Sequence, residues 1–319
     1  MPDENPLVSV IVPTYNAGHF VNATLESALR QTLPGFEVIV VDDGSTDDTL
    51  ARVRSFPDGR LRVITQAHRG APAALNAGLA AARGRYLAFL DHDDLWAEAK
   101  LERHVEFLER NPGVEVTFSW SGLIDAQGRR IGLPTSHWHG SITFRQLLED
   151  YVVGTSSSVV ARRAAVVEMG GFDPCFPRAH DCDLLLRIAL AHPGGVCAIP
   201  EELAFYRRHA GQMSRDWAAM EKDWNSLLDK FRRLAPEDTA AAENLASSNM
   251  SRYFACIAYE CGDFREAWRL ALAAWRRAPR AFVADRRNWR VVAACLAGLV
   301  LPAPVHRGLE RLAGVHRDG

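Results

Sequence analysis

The first hundred or so residues alternate short β-branched runs with helical patterns, and that rhythm restricts the chain to a mostly parallel sheet covered by helices. Val8-Ser9-Val10-Ile11-Val12 reads as a strand, followed by a helix over about His19 to Gln31. Phe36 to Val41 reads as a second strand, Leu61 to Thr65 as a third and Tyr86 to Leu90 as a fourth. Between them the pattern predicts one helix capped by Thr46-Asp47-Asp48 and running to about Phe56, and another over Ala71 to Ala82. Short oxygen-bearing side chains suit those caps because they accept the free N–H groups of a first turn. Strand–helix–strand units of this length join parallel neighbours by right-handed crossovers. In such sheets ligands bind beyond the carboxyl ends of the strands, and the acids of this chain gather there.

After Glu109 the rhythm changes. Val114 to Trp120 and Ser156 to Ala161 read as strands, Asp125-Ala126-Gln127-Gly128 as a turn, Asp181 to Ala191 as an amphipathic helix, and Glu202 to Arg207 as a late strand. The expected fold class is therefore α/β, with a mixed half added to a parallel half. From about Ser214 the pattern is helical to the end, and Ala255, Gly262-Asp263-Phe264, Ala267, Ala274 and Pro279 stand at spacings resembling one tetratricopeptide repeat. The expected division is a catalytic domain over 7–215 and an α-helical extension over 216–319.

A formal charge of -2 gives no overall pull toward nucleic acid. The charge is uneven: from Phe264 onward eleven arginines stand against four acids. The opening Met1-Pro2-Asp3-Glu4-Asn5-Pro6 predicts no secretory leader. The longest apolar run, Val291 to Leu301, is shorter than the roughly 20 residues that cross a bilayer. The six cysteines form no C-x-x-C pair and fit a reducing compartment. Together these predict a cytoplasmic protein. Arg276, Arg277, Arg280, Arg286, Arg287 and Arg290, with Trp275 and Trp289, flank the apolar tail segment, a composition that suits either an anionic membrane surface or a packed helix with a solvated face.

Two acidic clusters end apolar strands: Asp42-Asp43-Gly44-Ser45-Thr46-Asp47-Asp48, and Asp91-His92-Asp93-Asp94. Asp47 and Asp48 are placed for helix capping. The second cluster crowds like charges after a buried strand, which costs energy unless a cation offsets them. Ligands that are all oxygen favour a hard divalent ion, Mg²⁺ or Mn²⁺, with diphosphate oxygens completing its shell. No P-loop and no G-x-G-x-x-G follows the first strand. The Pro13-Thr14-Tyr15-Asn16-Ala17-Gly18 turn also lacks the basic residue that a sugar-phosphate nucleotidyltransferase would carry there.

At these motifs the sequence resembles the family 2 glycosyltransferases, which have the GT-A fold. Val12-Pro13-Thr14-Tyr15-Asn16 is similar to that family's first-strand motif, and Val41-Asp42-Asp43-Gly44-Ser45-Thr46-Asp47 to its second. Asn76-Ala77-Gly78 and Gly84-Arg85-Tyr86 lead into the Asp-x-Asp site at Asp91 to Asp93. Gly170-Gly171-Phe172-Asp173, Asp181-Cys182-Asp183-Leu184 and Tyr206-Arg207-Arg208-His209 follow in the family's order, so the resemblance covers about 7–215. It implies that Pro13, Thr14 and Tyr15 line the nucleotide pocket, with Tyr15 stacking on the base. Asp43 would read the base, most naturally uracil, and Asp42 would support the loop. Arg69 would meet base or phosphate, Asp91 ribose or metal-bound water, and Asp93 the metal, with His209 a further metal or diphosphate ligand.

The chemistry implied is transfer of a sugar from a nucleoside diphosphate, UDP for preference, to an acceptor hydroxyl. A divalent cation offsets the charge that develops on the leaving diphosphate. Asp181 is the candidate base that takes the acceptor's proton, giving single displacement with inversion. The acceptor is a glycan, a lipid-linked sugar or a protein, in cell-surface polysaccharide synthesis. Asp183 is read as a structural first-turn acid. His180 departs from the family, which usually has an acid before the base, and it leaves room for an alternative, a degenerate transferase domain acting as a scaffold or binding module. His137-Trp138-His139 reads as a loop, either touching the acceptor or simply exposed.

Overall fold

The computed structural model describes residues 5–132 and 134–300. The chain forms two compact units, one containing the residues up to Thr143 together with Val152–Arg208, the other Phe144–Tyr151 and the residues from His209 on.

The first unit runs β1 (Val8–Thr14), α1 (Val21–Leu29), β2 (Phe36–Asp42), α2 (Thr49–Arg54), β3 (Leu61–Thr65), α3 (Ala71–Ala81), β4 (Tyr86–Phe89), β5 (Leu95–Trp96), α4 (Lys100–Arg110), β6 (Val116–Ile124) and β7 (Gly140–Ile142). The short helix α5 (Phe144–Glu149) then counts with the second unit. β8 (Val159–Arg162), α6 (Arg163–Glu168), α7 (His180–Ala191) and β9 (Val196–Arg207) complete the first.

The nine strands form one sheet in the order β3-β2-β1-β4-β8-β6-β9-β5, with β7 on β9. β1 to β4 pair in parallel. β8 lies antiparallel between β4 and β6, so β4 and β6 run the same way. The parallel half places successive strands outward from β1 and then returns to set β4 on its other side. Strand order reverses there, and such a reversal opens a crevice at the carboxyl edge.

Every residue of β1 and β2 is buried, which is why both read as near-continuous apolar runs: a parallel strand is covered on both faces. On one face Val8, Val10, Val12, Val38 and Val40 pack with Val21 and Leu25 of α1, Val53 of α2, and Leu101 and Val105 of α4. On the other, α3 sits so close to β1 that a Cβ at Gly78 would stand 2.4 Å from Ile11 Cγ2. At the amino end of β2, Glu37 is 3% exposed and accepts hydrogen bonds from Ser9, Arg62 and Arg83. Burial pushes its carboxyl up, but these donors outweigh burial and bring it down to about 2.

Several elements depart from the sequence reading. The strand expected over Val114 to Trp120 continues to Ile124, and the late strand begins at Val196. Of the two acids assigned to cap α2, Asp47 does so, accepting Thr49 N–H at 3.0 Å. Asp48 pairs instead with Arg52 one turn on, at 2.8 Å. Ser156–Ser158 forms a single 3-10 turn before β8.

The second unit is helical: α5 with α8 (Trp217–Leu234), α9 (Pro236–Glu260), α10 (Phe264–Arg277), α11 (Pro279–Ala284) and α12 (Arg286–Val300). Phe144 of α5 packs on Phe231, and Asn249 of α9 donates to the Glu149 carbonyl. α9 and α10 make a hairpin in which Ala255, Ala267 and Ala274 are buried and Asp263 caps α10 through Glu266 N–H. No described helix is long and apolar enough to cross a membrane. The expected leader-free start falls on residues 1–4, and the tail arginines beyond 300 likewise lie outside the described residues.

Candidate active site

The tips of β1, β2 and β4 lie together at the switch point. Thr14 pairs with Asp42 across β1 and β2, Asp42 with Thr65 across β2 and β3, and Ile11 with Phe89 across β1 and β4. The Asp43 N–H donates to the Thr14 carbonyl at 2.8 Å, and the His92 ring nitrogen lies 3.3 Å from the Pro13 carbonyl.

At the β2 tip the two aspartates have different surroundings. Asp43 is 2% exposed, and its carboxylate accepts from Gln66 Nε2 at 2.6 Å and from the backbone N–H groups of Arg69 and Gly70 at 3.0 and 2.7 Å. His68 Nδ1 stands 2.9 Å from the same group. A carboxylate offers about four acceptor positions, so the 66–70 loop fills them, and Asp43 holds that loop. Asp42, 3% exposed, has a buried Oδ1 with no hydrogen-bond partner. Loop support, expected of Asp42, is thus performed by Asp43. Tyr15 is 39% exposed, and His68 stacks on its ring at 4.1 Å. Arg69 enters through its backbone, while its side chain is exposed.

At the β4 tip three carboxylates crowd. Asp91 accepts from Ser156 Oγ at 2.8 Å and lies 3.3 Å from Thr155 Oγ1, and its own N–H donates to Ser157 Oγ. Asp94, fully buried, accepts from the Arg207 N–H at 2.9 Å and from Thr155 Oγ1 at 3.0 Å. The Asp93 carbonyl accepts from Arg207 Nε. Burial raises the Asp91 carboxyl above its ordinary range; the Asp93 and Asp181 charges raise it further, against the Ser156 hydrogen bond and His180. Burial raises Asp94 strongly, with Asp93 and Asp91 adding to it. A cluster of hard oxygen ligands that disfavours its own charge fits a divalent cation. Among the described residues no three His, Cys, Asp or Glu side chains converge as a complete cage.

Asp181 stands in the first turn of α7, and its charge reaches Asp91 along with that of His180. The helix is aimed by a brace the sequence half discloses. Asp183, fully buried, pairs with Arg187 at 2.7 Å, and Arg187 donates to the Met169 and Gly171 carbonyls. Asn76 of α3 holds the same turn through both backbone groups of Phe172. Phe172 in turn packs edge-on against Phe89 and His180. Thus Asn76-Ala77-Gly78 and Gly170-Gly171-Phe172 are two halves of one mount for α7. His209 opens the second unit, where its N–H donates to Gln212 Oε1.

The structure brings Pro13, Thr14, Tyr15, Asp42, Asp43, Asp91, Asp93 and Asp181 to one carboxyl edge. The sequence reading missed His68, the Thr155-Ser156-Ser157-Ser158 hydroxyls and Arg207. Four hydroxyl residues leading into an apolar strand were the available signal for the second group.

A sheet with this order reversal, strand-tip acids and a facing helix-borne acid defines a GT-A domain. The family model for Glycosyl transferase family 2 matches residues 9–167. An Escherichia coli UDP-Glc:alpha-D-GlcNAc-diphosphoundecaprenol beta-1,3-glucosyltransferase, WfgD, is 32% identical over 228 residues, covering 70% of this chain and 86% of its own. Two solved structures share the fold. One is S. aureus TarS 1-349 in complex with UDP-GlcNAc (TM-score 0.62, 20% identity, 84% of this chain and 81% of that one). The other is the mannosyltransferase PcManGT from Pyrobaculum calidifontis in complex with GDP-Man and Mn2+ (TM-score 0.59, 22% identity, 98% and 85%). The chain belongs to glycosyltransferase family 2, and it is a glycosyltransferase.

Proposed function

We propose that this chain is an inverting, metal-dependent glycosyltransferase that uses a UDP-sugar and a lipid-linked glycan acceptor in cell-surface polysaccharide synthesis. The observation that carries the reading is the reversal of strand order that sets the Asp42-Asp43 tip and Asp91 at one carboxyl edge, with Asp91 bonded by Ser156. Acids at the strand tip and an acid across from them suit two tasks in one reaction. WfgD, by its name, takes UDP-Glc and a sugar diphosphoundecaprenol, which supports both the donor and the acceptor class.

Thr14 and Tyr15 line the base, and Asp43 keeps the 66–70 loop, with Arg69, against it. Asp93 would hold Mn²⁺ or Mg²⁺, with Asp91 at ribose or metal-bound water. The ion supplies charge that offsets the leaving diphosphate. Asp181 accepts the proton of the acceptor hydroxyl as that oxygen attacks the anomeric carbon, so configuration inverts without a covalent intermediate. The proposed catalytic domain is 7–215, less the 144–151 segment that counts with the second unit.

The extension supports contact with the anionic, cytoplasmic face of a membrane. On α12, Trp289, Ala293, Leu296 and Val300 recur at helical spacing and are exposed, Trp289 at 51% and Val300 at 75%, with Arg286 and Arg290 exposed beside them. Sedimentation with anionic vesicles should be lost when residues 264–319 are deleted, and equal sedimentation of both forms contradicts the contact. For the transferase itself, a screen of nucleotide sugars should find one UDP-sugar hydrolysed slowly with Mn²⁺ or Mg²⁺ and not with chelator. Hydrolysis indifferent to metal overturns metal dependence.

A further inference from the structure

We propose that Trp120, with His137, Trp138 and His139, forms the platform that receives the terminal sugar of a diphospholipid-linked acceptor; this rests on the transferase reading above. Sheet register puts Trp120 toward the edge that carries the reacting acids. Ala88 pairs with Val160, and Val160 with Thr117. Asp91 follows Ala88 by three residues and Trp120 follows Thr117 by three, and β4 and β6 run the same way, so both lie toward one edge of the sheet.

Phe89 and Trp120 also share a face. Ala88 packs with the α1 and α4 core, and Thr117 bonds His104 of α4 at 2.8 Å. Alternation along each strand therefore turns Phe89 and Trp120 to the opposite side. That side is marked by Phe89, whose ring meets Phe172 at 5.2 Å, and Phe172 leads to His180 beside Asp181.

The 134–139 loop completes the platform. Thr135 N–H bonds the Ser121 carbonyl, and Thr135 packs so closely on Gly154 that a Cβ there would lie 2.7 Å from its hydroxyl. The next residue, Thr155, reaches Asp91 and Asp94. Trp120 Nε1 donates to the Trp138 carbonyl at 2.9 Å, which fixes the indole. The imidazoles of His137 and His139 stand nearly perpendicular to it, at 5.8 and 5.2 Å. Both histidines are exposed. A pyranose has an apolar C–H face and a rim of hydroxyls, and a fixed indole edged by imidazole donors and acceptors matches that division.

The test uses the full chain, the UDP-sugar found by hydrolysis screening, and a short-tailed GlcNAc-α-diphosphoryl lipid as acceptor. The double change His137→Ala/His139→Ala should raise acceptor KM about tenfold, the loss expected for one or two polar contacts. Acceptor-free donor hydrolysis should stay within about twofold of wild type. Trp120→Leu should do the same more strongly and Trp120→Phe more weakly, since Phe keeps an aromatic face. Unchanged acceptor KM overturns the platform, as does donor hydrolysis that falls in step with transfer. Wild type that hydrolyses donor but never glycosylates this lipid overturns it too. Failure to bind or hydrolyse any nucleotide sugar defeats the transferase reading itself.

Discussion

The tips of β2 and β4 carry acidic clusters of similar composition in different surroundings. At the β2 tip, Asp43 is surrounded by donors from residues 66–70, so its charge is satisfied by the protein alone. At the β4 tip, burial raises the carboxyls of Asp91 and Asp94 and neighbouring carboxylates raise them further, while the Thr155 and Ser156 hydroxyls and the Arg207 N–H bond them. The first arrangement builds a loop. The second crowds carboxylates at a strand tip, where the proposed metal–diphosphate complex would supply positive charge. Composition alone does not tell a structural carboxylate from a functional one; the count of donors around it does.

The largest effects should come from the acids around Asp91. Asp181→Asn should lower transfer by about 10²- to 10⁴-fold, the range for a lost general base, with donor KM unchanged and little loss of melting temperature. A parallel rise in donor KM would mean that Asp181 serves binding instead. Asp43→Ala should behave otherwise, because it strands several donors of the 66–70 loop. The expected cost is about 2–3 kcal/mol of stability together with a higher donor KM. Denaturant titration beside kinetics would blur the contrast between the tips if stability were unchanged.

Glu37, at the far end of β2, sharpens the same distinction, being a satisfied acid far from the cleft. Its carboxyl is lowered from 4.5 to about 2 in the fold, so its contribution is complete above pH 4.5 and lost as pH falls toward 2. Glu37→Gln should cost about 2 kcal/mol near neutrality, less than the full shift implies because Arg62 and Arg83 are partly solvated. The gap from wild type should close across that acid window, and donor KM should not move. The smallest effect belongs to Thr155→Val, which removes one hydroxyl shared by Asp91 and Asp94. A severalfold rise in the metal concentration needed for half activity is expected, and no change would confine Thr155 to packing.

Much of the parallel half was legible because its signals are local. Buried runs in β1, β2 and β4 announce strands, and acids directly after them announce a carboxyl edge. What stayed hidden depends on pairing between distant segments. Thr155 to Ser158 acquire their role only because β8 inserts between β4 and β6, bringing those hydroxyls under Asp91. Arg207 reaches Asp93 and Asp94 from more than a hundred residues away. Asp42 and Asp43 differ only through where residues 66–70 return, which no spacing within Asp42-Asp43-Gly44 reveals. Asp48 matched a cap by type and position, but Arg52 one turn ahead competes for it.

Thermal unfolding with UDP and Mn²⁺ tests the central contrast most directly. Wild type should melt several degrees higher with both present than with either alone, since a ligand bound only by the folded state stabilises it. Asp93→Ala should still fold and should lose the metal-dependent part of the shift. An Asp93→Ala protein that kept the whole shift, or a wild type that showed none with any nucleoside diphosphate and metal, would contradict the account and favour a scaffold over an enzyme.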